Sequence, residues 1–475
     1  MVAVARKIDD LTSKLAAIVG ERNLLTDPAD MAPYLIDERK RYQGAARAVA
    51  RPGSTAEVAE IVRACRAAGV PIVPQGGNTG LCGAATPSEN GDAVVLSLAR
   101  MNRVREVDPL NYTITVEAGV ILLDVQRAAE AHDRLFPLSL GGEGTARIGG
   151  NLSTNAGGTG VLRYGTAREL ALGLEVVLPD GRIWDGLNGL RKDNTGYDLK
   201  QMFIGAEGTL GIITAAVMKL FPLPKETETA FVAVPSVADA VKLLALARTM
   251  SDEKVTAFEW IPRLPLDFVL RHIPGARDPL ATRYDHYVLM ELSSGLAGSD
   301  LRGLVEAILE AGMQQGLVLD AALAESGAQA DAFWKLRETI PEAQKFEGAS
   351  VKHDVAVPVS RVAEFLAAAD RAVADAVPGI RICSFGHLGD GNVHYNLSRP
   401  QSSGDAAFDA RYAELNRVVH DIVTAMKGSI SAEHGIGRLR REELQHYKSP
   451  VALDLMKKIK AALDPDNLMN PGKVL

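Results

Sequence analysis

In the first forty residues, Ile8, Leu11, Leu15 and Ile18 recur at helical spacing, which predicts helix over 7–40. A second helix is expected after Arg51-Pro52-Gly53. Ser54 reads as its N-cap, Glu57 as the partner in a capping box, and Gly69 as its stop. Val58, Ile61, Val62 and Cys65 form its apolar stripe. Short apolar runs at 71–74 and 94–98 read as buried strands, and Tyr112-Thr-Ile-Thr-Val-Glu117 alternates as a half-buried strand does. Strands are also expected at 174–178, closed by the Pro179-Asp-Gly turn, and at 212–220. Beyond Phe221-Pro-Leu-Pro224 the texture changes to alanine-rich helices at 237–250, 300–315, 359–376 and 405–427, alternating with short strands. This mixture predicts an α+β fold class with a domain boundary near 222.

With 475 residues the chain has room for about three domains or two large ones. Apolar residues make up 47%, enough for a large core, which excludes a disordered chain. The net charge of −7 argues against a nucleic-acid partner. Cys65, Cys82 and Cys383 are too few and too scattered for a disulfide framework, so a reducing, cytoplasmic location is expected. The first residues meet acids before any long apolar run, and no stretch suits a membrane span.

Glycine is concentrated. Residues 141–166 hold nine glycines in 26 positions, against roughly two expected from average usage. Pro74-Gln-Gly-Gly-Asn-Thr-Gly-Leu81 follows a strand and is a second such loop. Loops of this kind let backbone N–H groups approach an anion closely, and a phosphate or pyrophosphate is the natural guest. Taken singly, such a loop is equally well an ordinary tight turn. Neither stretch is a GxGxxG fingerprint or a Walker loop, which counts against a nicotinamide Rossmann or P-loop protein.

Ser384-Phe-Gly-His-Leu-Gly-Asp-Gly-Asn-Val-His-Tyr-Asn396 carries a hairpin signal at Asp390-Gly391. A two-residue turn there pairs His387 with His394 on one face, shared by Phe385 and Asn396, where two imidazoles can pinch a divalent ion. Farther on, Ile430-Ser-Ala-Glu-His-Gly-Ile-Gly437 offers Glu433 as a carboxylate ligand that would leave a coordination position open. The same Glu433 and His434 could instead cap a helix beginning near Arg438. His434 suits removal of a hydroxyl proton near neutral pH. His132, His272, His286, His420 and His446 sit in unremarkable settings, and His353 is expected behind the pocket.

Taken together, PQGGNTGL at 74–81, the run at 149–158, Arg163-Tyr-Gly165 and GAEGTLGIIT at 205–214 resemble the vanillyl-alcohol-oxidase type of FAD-binding flavoproteins. Within it the chain is similar to the D-2-hydroxyacid dehydrogenases, hydroxyglutarate enzymes among them, over roughly residues 25–475. The resemblance implies a two-subdomain FAD-binding domain at 1–222 and an α+β substrate-capping domain at 223–430. A segment at 431–475 would carry Glu433 and His434 and return to the FAD domain.

It further implies that Pro74, Gln75, Gly76, Gly77, Asn78, Thr79, Gly80 and Leu81 cradle the FAD pyrophosphate. Gly142, Gly144, Thr145, Ile148, Gly149, Gly150, Asn151, Ser153, Thr154, Asn155, Gly157, Gly158 and Tyr164 would run along phosphate and flavin. Glu207, Gly211, Ile212, Ile213 and Asn470 would complete the cofactor site. Family members with covalent flavin often use a histidine near the first loop, and none occurs between 1 and 131, so noncovalent FAD is expected.

The family's metal ligands fall on His387, His394 and Glu433, with zinc the expected ion, and its base on His434. Arg337, Lys352 and Asn396 match substrate-pocket positions. One departure concerns the fourth residue after the arginine, a threonine in the hydroxyglutarate enzymes and Pro341 here, which has no side-chain donor. That shifts expectation from D-2-hydroxyglutarate toward D-malate or D-lactate. An electron-transfer flavoprotein or quinone-linked carrier is the expected acceptor, and a homodimer stays open. Remaining alternatives are a D-lactate or glycolate dehydrogenase, an oxidase, a non-redox FAD-containing synthase, and a binding protein without catalysis.

Overall fold

The computed structural model describes residues 2–475, with side chains from residue 10 onward, so the expectation at Ile8 lies outside the described side chains. The chain divides into two units. One comprises 1–156, 166–222 and 433–475; the other comprises 157–165 and 223–432.

The first unit opens on helix Val2–Val19, which stops at Gly20, where φ is 81°. The single helix expected over 7–40 is therefore two, the second being Pro28–Leu35. Asp27 caps that second helix by accepting the Ala29 N–H, and Pro28 fits the first turn because its missing N–H would have had no helical partner. Between the two helices, Leu24–Leu25 pairs with Ala48–Ala50 and begins a four-stranded sheet that continues through Val94–Ser97 to Ile72–Gln75. The last three strands are parallel. Helix Thr55–Ala68 lies between Ala48–Ala50 and Ile72–Gln75 in the chain and buries Val58, Ile61, Val62 and Cys65. Ser54 Oγ accepts the Glu57 N–H, while the Glu57 carboxylate reaches back to the N–H of Gly53 rather than of Ser54.

A five-stranded antiparallel sheet follows, in the order Val104–Asp108, Thr113–Glu117, Ile212–Lys219, Ala171–Val177, Ile183–Gly186. Residues 468–470 return to the edge of the four-stranded sheet. The Ile72 N–H bonds Leu468 O and the Asn470 N–H bonds Ile72 O, both at 2.8 Å.

The second unit is built on a seven-stranded antiparallel sheet. Its order is Asp320–Leu323, Glu226–Val234, His286–Ser294, Val255–Pro262, Arg381–His387, Asn392–Ser398, Ser350–Ala356. Phe231, Tyr287, Phe333 and Phe385 are core side chains on and against this sheet. Helices Val237–Ser251, Leu301–Gln314 and Val362–Ala376 lie where alanine-rich periodicity places them. The helix expected over 405–427 is broken into Asp405–Asp409 and Tyr412–Ala425.

Residues 157–165, the tail of the glycine-rich stretch, belong to this second unit rather than to a continuous 1–222 domain. Arg163 ties them down, its guanidinium donating to Ser293 O and Oγ at 2.8 and 2.9 Å.

Candidate active site

In the first unit the two glycine-rich loops meet. A Cβ on Gly77 would overlap the Thr145 carbonyl oxygen, so this approach requires glycine. Asn78 adopts φ 56° and its side chain donates to Ile36 O at 2.8 Å. The Gln75 amide is likewise spent on Tyr34 O and Ala85 O, both at 2.9 Å. These two side chains brace the loop, and what it offers a ligand is backbone. Among the described residues, the N–H groups of Gly77, Asn78, Thr79, Gly80 and Leu81 donate to no protein acceptor. A run of such donors around a left-handed residue suits an anion.

The stretch read as coil over 141–166 contains a helix, Ile148–Thr154, whose glycines pack tightly: a Cβ on Gly149 would meet Ala118. Ser153 and Thr154 donate their hydroxyls back to the carbonyls of Gly149 and Gly150 within that helix. Asn151 is buried and its Oδ1 meets no protein donor among the described residues. Ile212 and Ile213 lie in a buried strand, Ile212 in the core with Val177.

Glu207, expected toward the adenine or flavin end of the cofactor site, braces the chain at 436–437. Its carboxylate accepts the N–H groups of Ile436 and Gly437 at 2.7 and 2.8 Å. Burial pushes its pKa up, against the two N–H bonds and the charges of Arg440 and Lys473. Asn470 has a matching role, its amide donating to Glu207 O at 2.7 Å and Ala84 O at 3.0 Å.

In the second unit the hairpin register differs from the expected one. Phe385, not His387, stands opposite His394, and residues 388–391 make a four-residue turn. The shift is two residues, an even number, so the faces are preserved. His387 lies diagonal to His394 on the same face, with ring centroids 5.3 Å apart, and Phe385 packs on His394 at 5.1 Å. In the strand on the other side, Glu259 is in register with His387.

Glu259 escaped sequence reading, because Phe258-Glu-Trp260 looks like ordinary strand alternation. It is 1% exposed, and its oxygens divide their work. Oε1 bonds His387 Nδ1 at 2.7 Å, and Oε2 accepts from Arg337 Nε at 2.8 Å. Burial alone would raise its pKa; the contacts with His387 and Arg337 outweigh that and hold it well below the usual carboxylate range, to about 2.

Arg337 is buried, with its guanidinium 4.7 Å from the Phe385 ring centroid. Its Nη1 and Nη2 donate to no protein acceptor among the described residues. Asn396 is buried and donates to Gln344 Oε1 at 3.1 Å, and Lys352 stands opposite Asn396 on the neighbouring strand. Asp354, fully buried, is in register with His394, 4.0 Å from its Nδ1, and accepts from the Asn392 amide. The Ala432 N–H bonds Asp354 O at 3.1 Å, so Glu433 and His434 follow one and two residues beyond a point fixed to that strand. The helix that Glu433 and His434 could have capped starts at Arg441.

Residues 46–186 match the family described as FAD binding domain, and residues 223–474 match FAD linked oxidases, C-terminal domain. The D-2-hydroxyglutarate dehydrogenase of Xanthomonas citri pv. viticola is 38% identical over 451 residues, 95% of this chain and 94% of that protein. The mitochondrial D-2-hydroxyglutarate dehydrogenase of Bos taurus is 37% identical over 467 residues, 98% of this chain and 83% of that one. Among solved structures, p-cresol methylhydroxylase superposes with a TM-score of 0.77 at 19% identity, covering 98% of this chain and 96% of its own, which is a likeness of fold. The fold and loops define a flavoprotein of the vanillyl-alcohol-oxidase type. The chain belongs to the FAD-dependent D-2-hydroxyacid dehydrogenases. The first unit suits FAD on two counts already described: the loop of unclaimed N–H donors at 77–81 and the buried, unpartnered Asn151 Oδ1.

Proposed function

We propose that the protein oxidises a D-2-hydroxy acid bearing a second carboxylate, of the D-malate or D-2-hydroxyglutarate class, to the 2-oxo acid. The observation that carries this reading is the carboxylate of Glu259, which holds a histidine on one oxygen and an arginine with an unclaimed Nη edge on the other. An end-on guanidinium edge suits a carboxylate.

Bound FAD would supply the acceptor for the hydride leaving C2. A divalent ion, with zinc favoured by the ligand types, would supply Lewis acidity at the C2 hydroxyl and C1 carboxylate. His387, His394 and Glu433 are the residues to hold it, and Asp354 adds a carboxylate of the right type. His387 would use Nε2, since its Nδ1 is engaged with Glu259. His434 would take the hydroxyl proton. Arg337 and Lys352 would bind the distal carboxylate, with Asn396 beside them.

Pro341 occupies the first turn of helix Ile340–Lys345 and can offer the distal end no hydroxyl, which favours the shorter diacid. The names of the Xanthomonas and bovine relatives support the longer one.

Anaerobic mixing with a panel of D- and L-hydroxy acids tests the reading. The flavin should bleach with D but not L acids, and kcat/KM for D-malate should at least equal that for D-2-hydroxyglutarate. If D-lactate exceeds both, Arg337 and Lys352 do not read a second carboxylate. If no hydroxy acid bleaches the flavin, a non-redox synthase takes precedence. Oxygen uptake at the rate of substrate oxidation would make the protein an oxidase.

A further inference from the structure

We infer that Glu259 is a positioning residue that couples the ion-holding histidine to the arginine that reads the substrate. This rests on the reading just given, in which His387 is a metal ligand and Arg337 a carboxylate anchor.

An ionised carboxylate only accepts, so each of its partners must bring a proton. At His387 that places the proton on Nδ1 and makes Nε2 the unprotonated nitrogen, the tautomer a metal ligand needs. At Arg337 the carboxylate occupies Nε. The side-on edge is thereby spent and the Nη1–Nη2 edge is the one left to receive a carboxylate, with the Phe385 ring limiting rotation on one side. Glu259 itself cannot drift, being 1% exposed and in strand register with His387. One rigid group therefore sets the orientation of both, and a change at the arginine must be felt at the histidine.

A purely structural ion pair would need only the arginine. The third partner, together with the unclaimed Nη edge, is what points to a functional arrangement.

The experiment compares wild type, Glu259→Gln and Arg337→Gln, each as the flavin-loaded full chain stripped of metal by a chelator. Zn2+ is titrated by calorimetry, and kcat and KM are measured for D-malate and D-lactate. A glutamine at 259 can accept from one partner but must turn its NH2 toward the other. Glu259→Gln should therefore weaken Zn2+ binding 10- to 100-fold, the usual range for loss of a partner behind a metal ligand. It should raise KM for D-malate more than for D-lactate and leave the flavin spectrum intact. Arg337→Gln, which removes no ion ligand, should still weaken Zn2+ binding at least threefold. If wild type binds one Zn2+ and both variants bind it equally well, the coupling is refuted while the metal reading stands. If wild type binds no ion in stoichiometric amount and turns over at full rate, the metal reading falls and the coupling with it. Should Glu259→Gln not fold, Arg337→Gln decides alone, by the same threefold criterion.

Discussion

Replacing Glu207 with alanine tests the closure of the flavin-binding unit. The side chain accepts two backbone N–H groups, a half-buried one from Ile436 and a buried one from Gly437. A buried donor stripped of its acceptor costs about 1–3 kcal/mol, so two cost roughly 2–6. Removing a buried carboxylate recovers part of that, because burial already disfavours its charged form. A net loss of about 2–4 kcal/mol is expected.

The backbone supplies an internal control. Glu207 holds φ 51°, a left-handed conformation that costs a residue with a Cβ about 1 kcal/mol relative to glycine. Glu207→Gly should therefore be more stable than Glu207→Ala by about 1 kcal/mol, although both lose the carboxylate.

The local readout is amide hydrogen exchange, followed by mass spectrometry on the peptide spanning 433–440. At 1.4 kcal/mol per decade, the alanine variant should exchange at Ile436 and Gly437 about 30- to 700-fold faster than wild type. Exchange within threefold of wild type, or a glycine variant no more stable than the alanine one, would refute the argument. The first result would mean that water replaces the carboxylate without loss, the second that the left-handed backbone at 207 costs alanine nothing.

Four shorter tests follow. Chelation should abolish hydroxy-acid oxidation without releasing flavin, and the double change His387→Ala with His394→Ala should eliminate stoichiometric metal by elemental analysis; full activity in a metal-free sample sinks the Lewis-acid role. His434→Ala should keep flavin and metal while kcat falls about 10²–10⁴-fold, and turnover within threefold of wild type removes it from the mechanism. Gly77→Ala forces a methyl group onto the Thr145 carbonyl and should weaken FAD binding at least tenfold by fluorescence titration; unchanged affinity would mean that the contact between the loops does not shape the site. Acid or heat should release all flavin into solution, whereas colour retained by washed precipitate would show a covalent link.

The elements best legible in the sequence were those whose signal is local. Ser54, Glu57 and Gly69 bound a helix because a cap, a reciprocal acceptor and a left-handed stop act within one turn. The histidine face of the hairpin was legible for a similar reason, since strand alternation survives any even shift of register. The register itself was not: Phe385 stands opposite His394, and His387 pairs with a strand, Val255–Pro262, that lies more than a hundred residues earlier. Glu259 was invisible on the same ground: only when both neighbours of its strand are in place does its burial become apparent. For Glu207 and Asn470 the pattern marked the positions but not their side-chain partners, which are backbone groups far away in the chain. Gly20 ended a helix that periodicity alone carried on to residue 40.

The partnership between Ile72 and residues 468–470 has a consequence for biosynthesis. Roughly 400 residues separate the two sides of that edge, and at about 5–20 residues per second the ribosome needs some 20–80 s to make them. Throughout that interval the nascent sheet presents an open border, and the strap that Glu207 grips does not yet exist. The second unit, apart from residues 157–165, is synthesised without interruption before residue 433 emerges, so it can mature while its neighbour waits. The order of events during translation is thus the reverse of the order in the chain. The half that begins first finishes last, and the waiting half is where a chaperone, or an early supply of flavin, has something to protect.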